Sequence, residues 1–330
     1  MPRVLRPATP LAGLWLVAVL LLASCAHRVP LVEERVASLP PQVELADTPF
    51  FPQDRYQCGP AALATVLNAR GVAVTPEELV SQVYLPARQG SLQAEIIAAA
   101  RRQGLLAVSV EPELDALLEE VAAGHPVLVL QNLGLDWLPR WHYAVVMGYD
   151  LGEQELVLRS GTEARRITQF GVFLKTWDRS GRWGIVVLPP GTLPARPDAV
   201  RYLDAASALE ALGQADAAHV AYRAAVAQWP QDGVAWIGLG NTEYARGQHA
   251  AAEAAFRRAV ERDPQAFAAW NNLSYALAAR RCIRAARATA RCATRLAPDA
   301  AAPRETLKEM EAQPLPAEEA CAPSPDCPLR

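Results

Sequence analysis

The sequence predicts an α+β domain followed by an all-α domain of helical repeats. Three observations carry that prediction. Helical patterns precede a group of short apolar strands between residues 58 and 188; Pro230, Pro264 and Pro298 fall 34 residues apart; and an apolar run from Leu11 to Leu22 follows Arg3 and Arg6 and stops beside a cysteine. At 330 residues the chain has room for two domains and a sizeable core. Its net charge of -3 and the lack of any block of like charges exclude the basic footprint of a nucleic-acid binder or a polybasic membrane patch.

The Leu11 to Leu22 run has the length of a signal-peptide apolar region and is short for a membrane span. Leu22-Ala23-Ser24-Cys25 resembles a bacterial lipobox, which implies that Cys25 is diacylated, becomes the new N-terminus and holds the chain on a membrane without a crossing helix. An ordinary secretory signal cleaved near Ala23 to Ala26 is the alternative. Ala26, rather than Asp, after the cysteine implies sorting to the outer membrane, with the mature chain facing the periplasm. Residues 1–25 are expected to be the signal, and residues 26–48, with Pro30, Pro40 and Pro41 and little periodicity, a tether.

Structure is expected from about Phe50. Pro60 near the start and Gly71 past the end frame a helix over residues 59–70, with Ala62, Leu63, Val66 and Leu67 as its buried stripe. Thr75-Pro76-Glu77-Glu78 reads as a capping box opening a short helix, and Ser91 as the opening of another that ends at Gly104. Leu105 to Val110 reads as a strand, Pro112 to Ala123 as a helix, and Val127 to Leu130 as a central strand. Trp141 to Tyr149 and Glu155 to Ser160 form the arms of a hairpin; Gln169 to Trp177 is a short helix and Trp183 to Leu188 the last strand. Helices first and antiparallel strands afterwards define an α+β domain over 49–188.

Residues 189–198 read as a stiff Pro-rich linker, and beyond them the 34-residue step recurs at five positions. Tyr202, Trp236 and Trp270 keep it, as do Ala205, Leu239 and Leu273, then Ala218, Ala252 and Ala286, then Ala225, Ala259 and Ala293, besides the prolines. Period and residue types resemble the tetratricopeptide repeat, with units 199–232, 233–266 and 267–300 and a further short helix within 199–312. Such helix pairs stack into an array whose concave face holds a protein partner. In the oxidising compartment that the signal implies, Cys282, Cys292, Cys321 and Cys327 lack metal-ligand spacing and neighbouring histidines. They read as two structural disulfides pinning the tail, 313–330, with all three pairings open. No metal and no cofactor are expected.

Cys58 starts its helix, where the first-turn N–H groups point at the sulfur and favour the thiolate; a structural buried cysteine is the plainer reading. A thiolate nucleophile needs a base. Of the five histidines, His27 lies in the tether and His219 and His249 among the repeats. His125 precedes a proline at a turn, whereas His142 opens an apolar strand that holds its ring rigidly. Phe51-Pro52-Gln53, Gln57-Cys58-Gly59-Pro60-Ala61-Ala62-Leu63 and His142 to Asp150 together resemble the bacteriocin-processing cysteine peptidases, family thirty-nine of the cysteine peptidases, whose papain-like domain cleaves leader peptides after a double glycine.

That resemblance implies Cys58 as nucleophile, His142 as general base and acid, and an upstream glutamine whose amide holds the oxyanion. Family members place this glutamine six residues before the cysteine; here Gln53 stands five before it, and Gln57 is too close to fold back over the same oxyanion. They also place an Asp on the strand after the histidine to orient the imidazole. Here that strand carries no carboxylate, and Asp150, at about 3.3 Å per residue along an extended strand, is out of reach. Folding the hairpin sets His142 opposite Gly161, which leaves Ser160, through its hydroxyl or its carbonyl, as the orienting group. Trp137, Arg140 and Trp141 surround the histidine and are shared between groove lining and core packing. The expected function is a lipid-anchored cysteine peptidase acting on a peptide or protein, with repeats that bind a protein partner. An inactive peptide-binding lipoprotein and a Cys-His acyl-transfer enzyme are the alternatives.

Overall fold

The computed structural model describes residues 29–31, 33–53, 57–315 and 321–328, so the expected lipidation site, Cys25, lies outside the described residues. A seven-stranded antiparallel sheet is the centre of the N-terminal domain. Its order is β4 (Leu106–Ser109), β9 (Gly184–Leu188), β5 (Val127–Asn132), β6 (Trp141–Asp150), β7 (Glu155–Ser160), β8 (Glu163–Gln169), and β1 (Gln42–Glu44) pairs with the far end of β6. A separate ribbon joins β2 (Tyr84–Leu85) to β3 (Gly90–Ser91).

Side-chain alternation along the strands sorts the sheet into two cores. Val127, Val129, Ala144 and Val146 face the helices Leu114–Ala122 and Phe170–Asp178; Leu128, Leu130, Tyr143 and Val145 face the helices Cys58–Asn68, Pro76–Val83 and Gln93–Arg102. Burial on both faces is why Val127 to Leu130 reads as an unbroken apolar run. The helix Pro76–Val83 starts on the expected capping box, with Glu78 N–H donating to Thr75 Oγ1 and Thr75 N–H donating to Glu78 Oε2 at 2.8 Å.

The structure departs from the sequence reading in five places. Residues 26–48 are not a free tether where they are described: β1 joins the sheet, Val29 exchanges hydrogen bonds of 2.8 and 2.9 Å with the Gln154 side chain, and Leu31, Val36, Leu39 and Val43 pack on the core. Their partners on β6 and at Gln154 lie more than a hundred residues away, so no local periodicity marks them. β8, for which the sequence reading has no element, carries Glu163, Arg165 and Arg166 as solvent-facing residues of an edge strand, where charge discourages pairing with another chain. Ser91 lies in β3 and does not cap the next helix, which begins at Gln93. His125 is buried and pairs with Glu120 at 2.8 Å.

The segment 189–198 is likewise docked rather than a spacer. Arg196 lies among Glu111, Glu113, Asp115 and Glu119 at the start of the helix Leu114–Ala122, and Ala195 N–H donates to Glu120 at 2.9 Å. The first repeat helix, Ala199–Ala211, continues this contact: Tyr202, Leu203 and Ala206 belong to the same hydrophobic cluster as β4, and Gln214 donates to the carbonyl of Arg102 at 3.1 Å. Helix pairs then start at Ala199, Gly233 and Phe267, and Ala301–Ala312 closes the array. Among the described residues, no helix is long and apolar enough to cross a membrane.

Two disulfides, Cys282–Cys321 and Cys292–Cys327, tie the tail to the helix Ile283–Leu296. They close loops of 39 and 35 residues. By loop-closure entropy each contributes about 4 kcal/mol at most, less whatever structure the reduced chain keeps. The Cys282→Ser/Cys321→Ser double variant is expected to lose roughly 2–4 kcal/mol in urea unfolding followed by far-ultraviolet circular dichroism; an unchanged midpoint would show that this cross-link contributes nothing to the repeats.

Candidate active site

The helix Cys58–Asn68 has no side-chain cap at Gln57, and its second residue is pressed against the neighbouring ribbon. A side-chain carbon at Gly59 would stand 2.2 Å from Ser91 Oγ, so only glycine lets the helix start lie here. The Cys58 sulfur occupies the uncapped end, where its own backbone amide and those of Gly59 and of Tyr143 on β6 favour the thiolate. Burial is the largest influence on the thiol and raises its pKa; the three backbone groups lower it but do not overcome the burial. The expectation of a thiolate stabilised by the helix start alone is therefore corrected: desolvation outweighs the helix end.

His142 stands one residue before Tyr143, near the start of β6, opposite Gln131 of β5. Its Nε2 is 2.8 Å from Ser160 Oγ. A bulge at Met147 moves the β6–β7 register, so that Val145 faces Arg159 and the ladder ends there. Ser160, buried, turns back to pair with Glu163, and Gly161 makes that turn at φ +61, a backbone setting that favours glycine. The Gly161 carbonyl accepts from Gln53 N–H at 3.1 Å, so one turn positions both the residue touching His142 and the glutamine upstream of Cys58.

Gln53, Cys58, His142 and Gly161 line one cavity of about 1180 Å³; Gln57 does not line it. No hydrogen bond joins Cys58 to His142, and the ring nitrogen left free by Ser160 is Nδ1. Burial, followed by the nearby charges of Arg166 and Arg140, lowers the imidazole to about 4. At neutral pH the resting pair is therefore a thiol and a neutral imidazole. Arg140 and Trp141 line the cavity, whereas Trp137 projects from the loop tip at 78% exposure and is in neither the core nor the lining.

The opposite wall comes from Arg88, Gln89, Gly90, Ser91, Leu92 and Gln93, around the β2–β3 ribbon. No motif marks these residues in the sequence. The one available signal was Gly59, whose missing side chain makes room for Ser91, and it identifies a close approach without naming what approaches.

Residues 42–185 match the Peptidase_C39 like family, and 203–266 and 238–301 match a tetratricopeptide repeat family. A putative C39-like peptidase from Bacillus anthracis is 19% identical over 44% of this chain and 97% of its own, with a TM-score of 0.38. The peptidase domain of Streptococcus ComA, a bi-functional ABC transporter involved in a quorum-sensing pathway, is 21% identical over 43% of this chain and 98% of its own, with a TM-score of 0.34. The Sgt2 tetratricopeptide domain from Aspergillus fumigatus is 19% identical over 38% of this chain and 90% of its own, with a TM-score of 0.34. An uncharacterized protein of Methanothermobacter thermautotrophicus is 36% identical over 107 residues, 32% of this chain and 68% of that protein. The N-terminal domain of this chain is a Peptidase_C39-like domain, and tetratricopeptide repeats follow it.

Proposed function

We propose that the N-terminal domain is a cysteine peptidase that cleaves a peptide or protein brought to it by the repeats, and that an acylated Cys25 holds the chain on the outer membrane, facing the periplasm. The observation that carries the catalytic part is the meeting of Gln53, Cys58 and His142 in one cavity, with Ser160 on the far nitrogen of the imidazole.

The chemistry follows from those positions. Neutral His142 takes the Cys58 proton through Nδ1 as the sulfur attacks the scissile carbonyl carbon, and the carbonyl electrons move onto its oxygen. The Gln53 amide and the backbone N–H of Cys58 are the donors available to that oxyanion. Collapse breaks the C–N bond, and the leaving amine receives the proton from His142, which leaves a thioester on Cys58. Water, deprotonated by His142, then releases the carboxylate and restores the thiol. In the tautomer that this requires, Nε2–H donates to Ser160 Oγ. A hydroxyl fixes the ring but stabilises imidazolium less than a carboxylate does, so a slow enzyme is the consequence.

Assayed on a mixed peptide pool that includes double-glycine sequences, Cys58→Ala is expected to abolish cleavage and His142→Ala to reduce it by about 10²–10⁴. Products carrying one ¹⁸O from labelled water would identify hydrolysis; transfer to an added amine would identify the acyl-transfer alternative. Cleavage that survives in Cys58→Ala, or no cleavage by the wild type, would leave the repeats and the cavity as docking surfaces only. Ser160→Ala is expected to lower kcat roughly tenfold, the scale of one hydrogen bond in the site. Ser160→Asp should shift the acidic limb of the pH profile upward, because a carboxylate raises the imidazole pKa.

The lowered imidazole also sets the pH dependence. In the wild type the acidic limb of kcat/KM is expected near pH 4, where the working base becomes protonated, instead of at the ~6.5 of an ordinary histidine. The same group links stability to pH. Between about 6.5 and about 4 the unfolded chain binds a proton that folded His142 does not, so stability falls as pH drops through that window. His142→Phe should flatten this slope in thermal melts; a slope equal to that of the wild type would place the coupling elsewhere.

A further inference from the structure

We infer that the cavity beside Cys58 selects a peptide bearing a carboxylate. This rests on the reading of Cys58 and His142 as the working site. Among the described residues, the charged side chains lining the cavity are Arg88 and Arg140, and neither Asp nor Glu lines it. His142 adds no negative charge and stays neutral down to about pH 4. The whole chain carries more acid than base, with 35 Asp and Glu against 32 Lys and Arg, so a cavity whose described charged lining is arginine does not follow from composition.

The neighbouring arginines make the contrast sharper. Arg166 pairs with Glu163 at 3.0 Å, Arg165 with Glu44 at 2.8 Å, and Arg182 with Asp178. Arg159 is spent on the carbonyls of Thr48, Ala46 and Ala164, and Arg179 on that of Asn132. Arg88 and Arg140 have no acidic partner among the described residues. They come from the two sides of the cavity: Arg88 from the β2–β3 connection, Arg140 from the residue pair that leads into His142.

Arg140 also stands on a fixed stem. Its N–H donates to Asn132 Oδ1 at 2.9 Å and its carbonyl accepts from Leu133 N–H at 2.8 Å. Its guanidinium offers a planar pair of donors that matches a carboxylate, and the fixed backbone keeps the root of that side chain beside the cavity. The field of Arg140 reaches the His142 ring, so a carboxylate bound to Arg140 lies within electrostatic range of the reacting groups. The amides of Gln53, Gln89 and Gln93 supply further donors around the cavity. An acidic side chain near the scissile bond and a free C-terminal carboxylate share this chemistry.

The test uses the full-length Cys58→Ala chain, which binds without turnover, and fluorescein-labelled octapeptides that differ in one residue, Glu, Gln or Lys, scanned through the sequence. Each is made with a free and with an amidated C-terminus, and affinity is read by anisotropy. The Glu peptides, or the free-acid peptides, are expected to bind at least about tenfold tighter than their neutral counterparts, with Lys weakest and the preference shrinking as salt rises. A preference that follows the scanned Glu identifies an acidic side chain as the ligand; one that vanishes on amidation identifies the terminal carboxylate. Adding Arg88→Glu and Arg140→Glu, both on exposed backbone outside the core, is expected to invert the order so that Lys binds best, with an unchanged melting temperature. Equal binding of Glu, Gln and Lys peptides, no binding of any of them, or a Glu preference that survives the double charge reversal overturns the inference. Cleavage of neutral peptides by the wild type without acidic preference would remove this inference and leave the peptidase. Acid-selective binding without cleavage would do the reverse.

Discussion

Strand β6 has to satisfy two buried faces and three neighbouring strands within ten residues, and the N-terminal domain is arranged around that requirement. Its middle residues, Tyr143 to Tyr149, are buried; Tyr143 to Val146 alternate between the two cores, and beyond the bulge Tyr149 joins the core of Ala144 and Val146. β5 and β7 flank it, and β1 fills the edge that β5 leaves beyond Val146. The same strand carries His142 near its first residue and, through the backbone of Tyr143, touches the sulfur of Cys58. A strand held on every side cannot drift, and so the imidazole is fixed before any substrate arrives.

Burial fixes the groups and also sets their charge. Desolvation raises the Cys58 thiol and lowers the His142 imidazole, so both push the resting pair toward its neutral form. The backbone donors at the helix start and at Tyr143 work in the other direction, as they would on a sulfur or oxygen that becomes negative during reaction. Ser160 holds the ring without adding charge, and Arg140 and Arg166 add charge of the sign that disfavours imidazolium. The site is thus organised for a base that accepts a proton during attack, with no preformed ion pair.

The parts of this arrangement legible in the sequence were those written in local patterns. The repeat step of 34 residues, the capping box at Thr75, the apolar run of β5 and the Cys58 and His142 segments all announce themselves within a few residues of their own positions. Ser160 follows from the hairpin pairing, although the bulge at Met147 shifts that pairing by one residue. What stayed hidden was long-range: β1 against β6, the docking of Arg196 among four carboxylates, the Arg88 to Gln93 wall, and the strength of desolvation at Cys58. Each depends on which distant surface a segment meets, and a helix-start argument for the thiol cannot include a sheet that has not yet been placed over it. The repeats were read as a separate module, yet Tyr202 and Leu203 share a hydrophobic cluster with β4, so the array is seated directly on the sheet.

The central claim is that Cys58 becomes an acyl carrier with the help of His142. It is tested most directly by rapid acid quenching of the full-length protein during turnover of a peptide ester, followed by intact-mass measurement and peptide mapping. An added acyl mass is expected on Cys58 in the wild type, at a level that falls by orders of magnitude in His142→Ala. An equal acyl yield in both proteins, or an adduct on any residue other than Cys58, would contradict it.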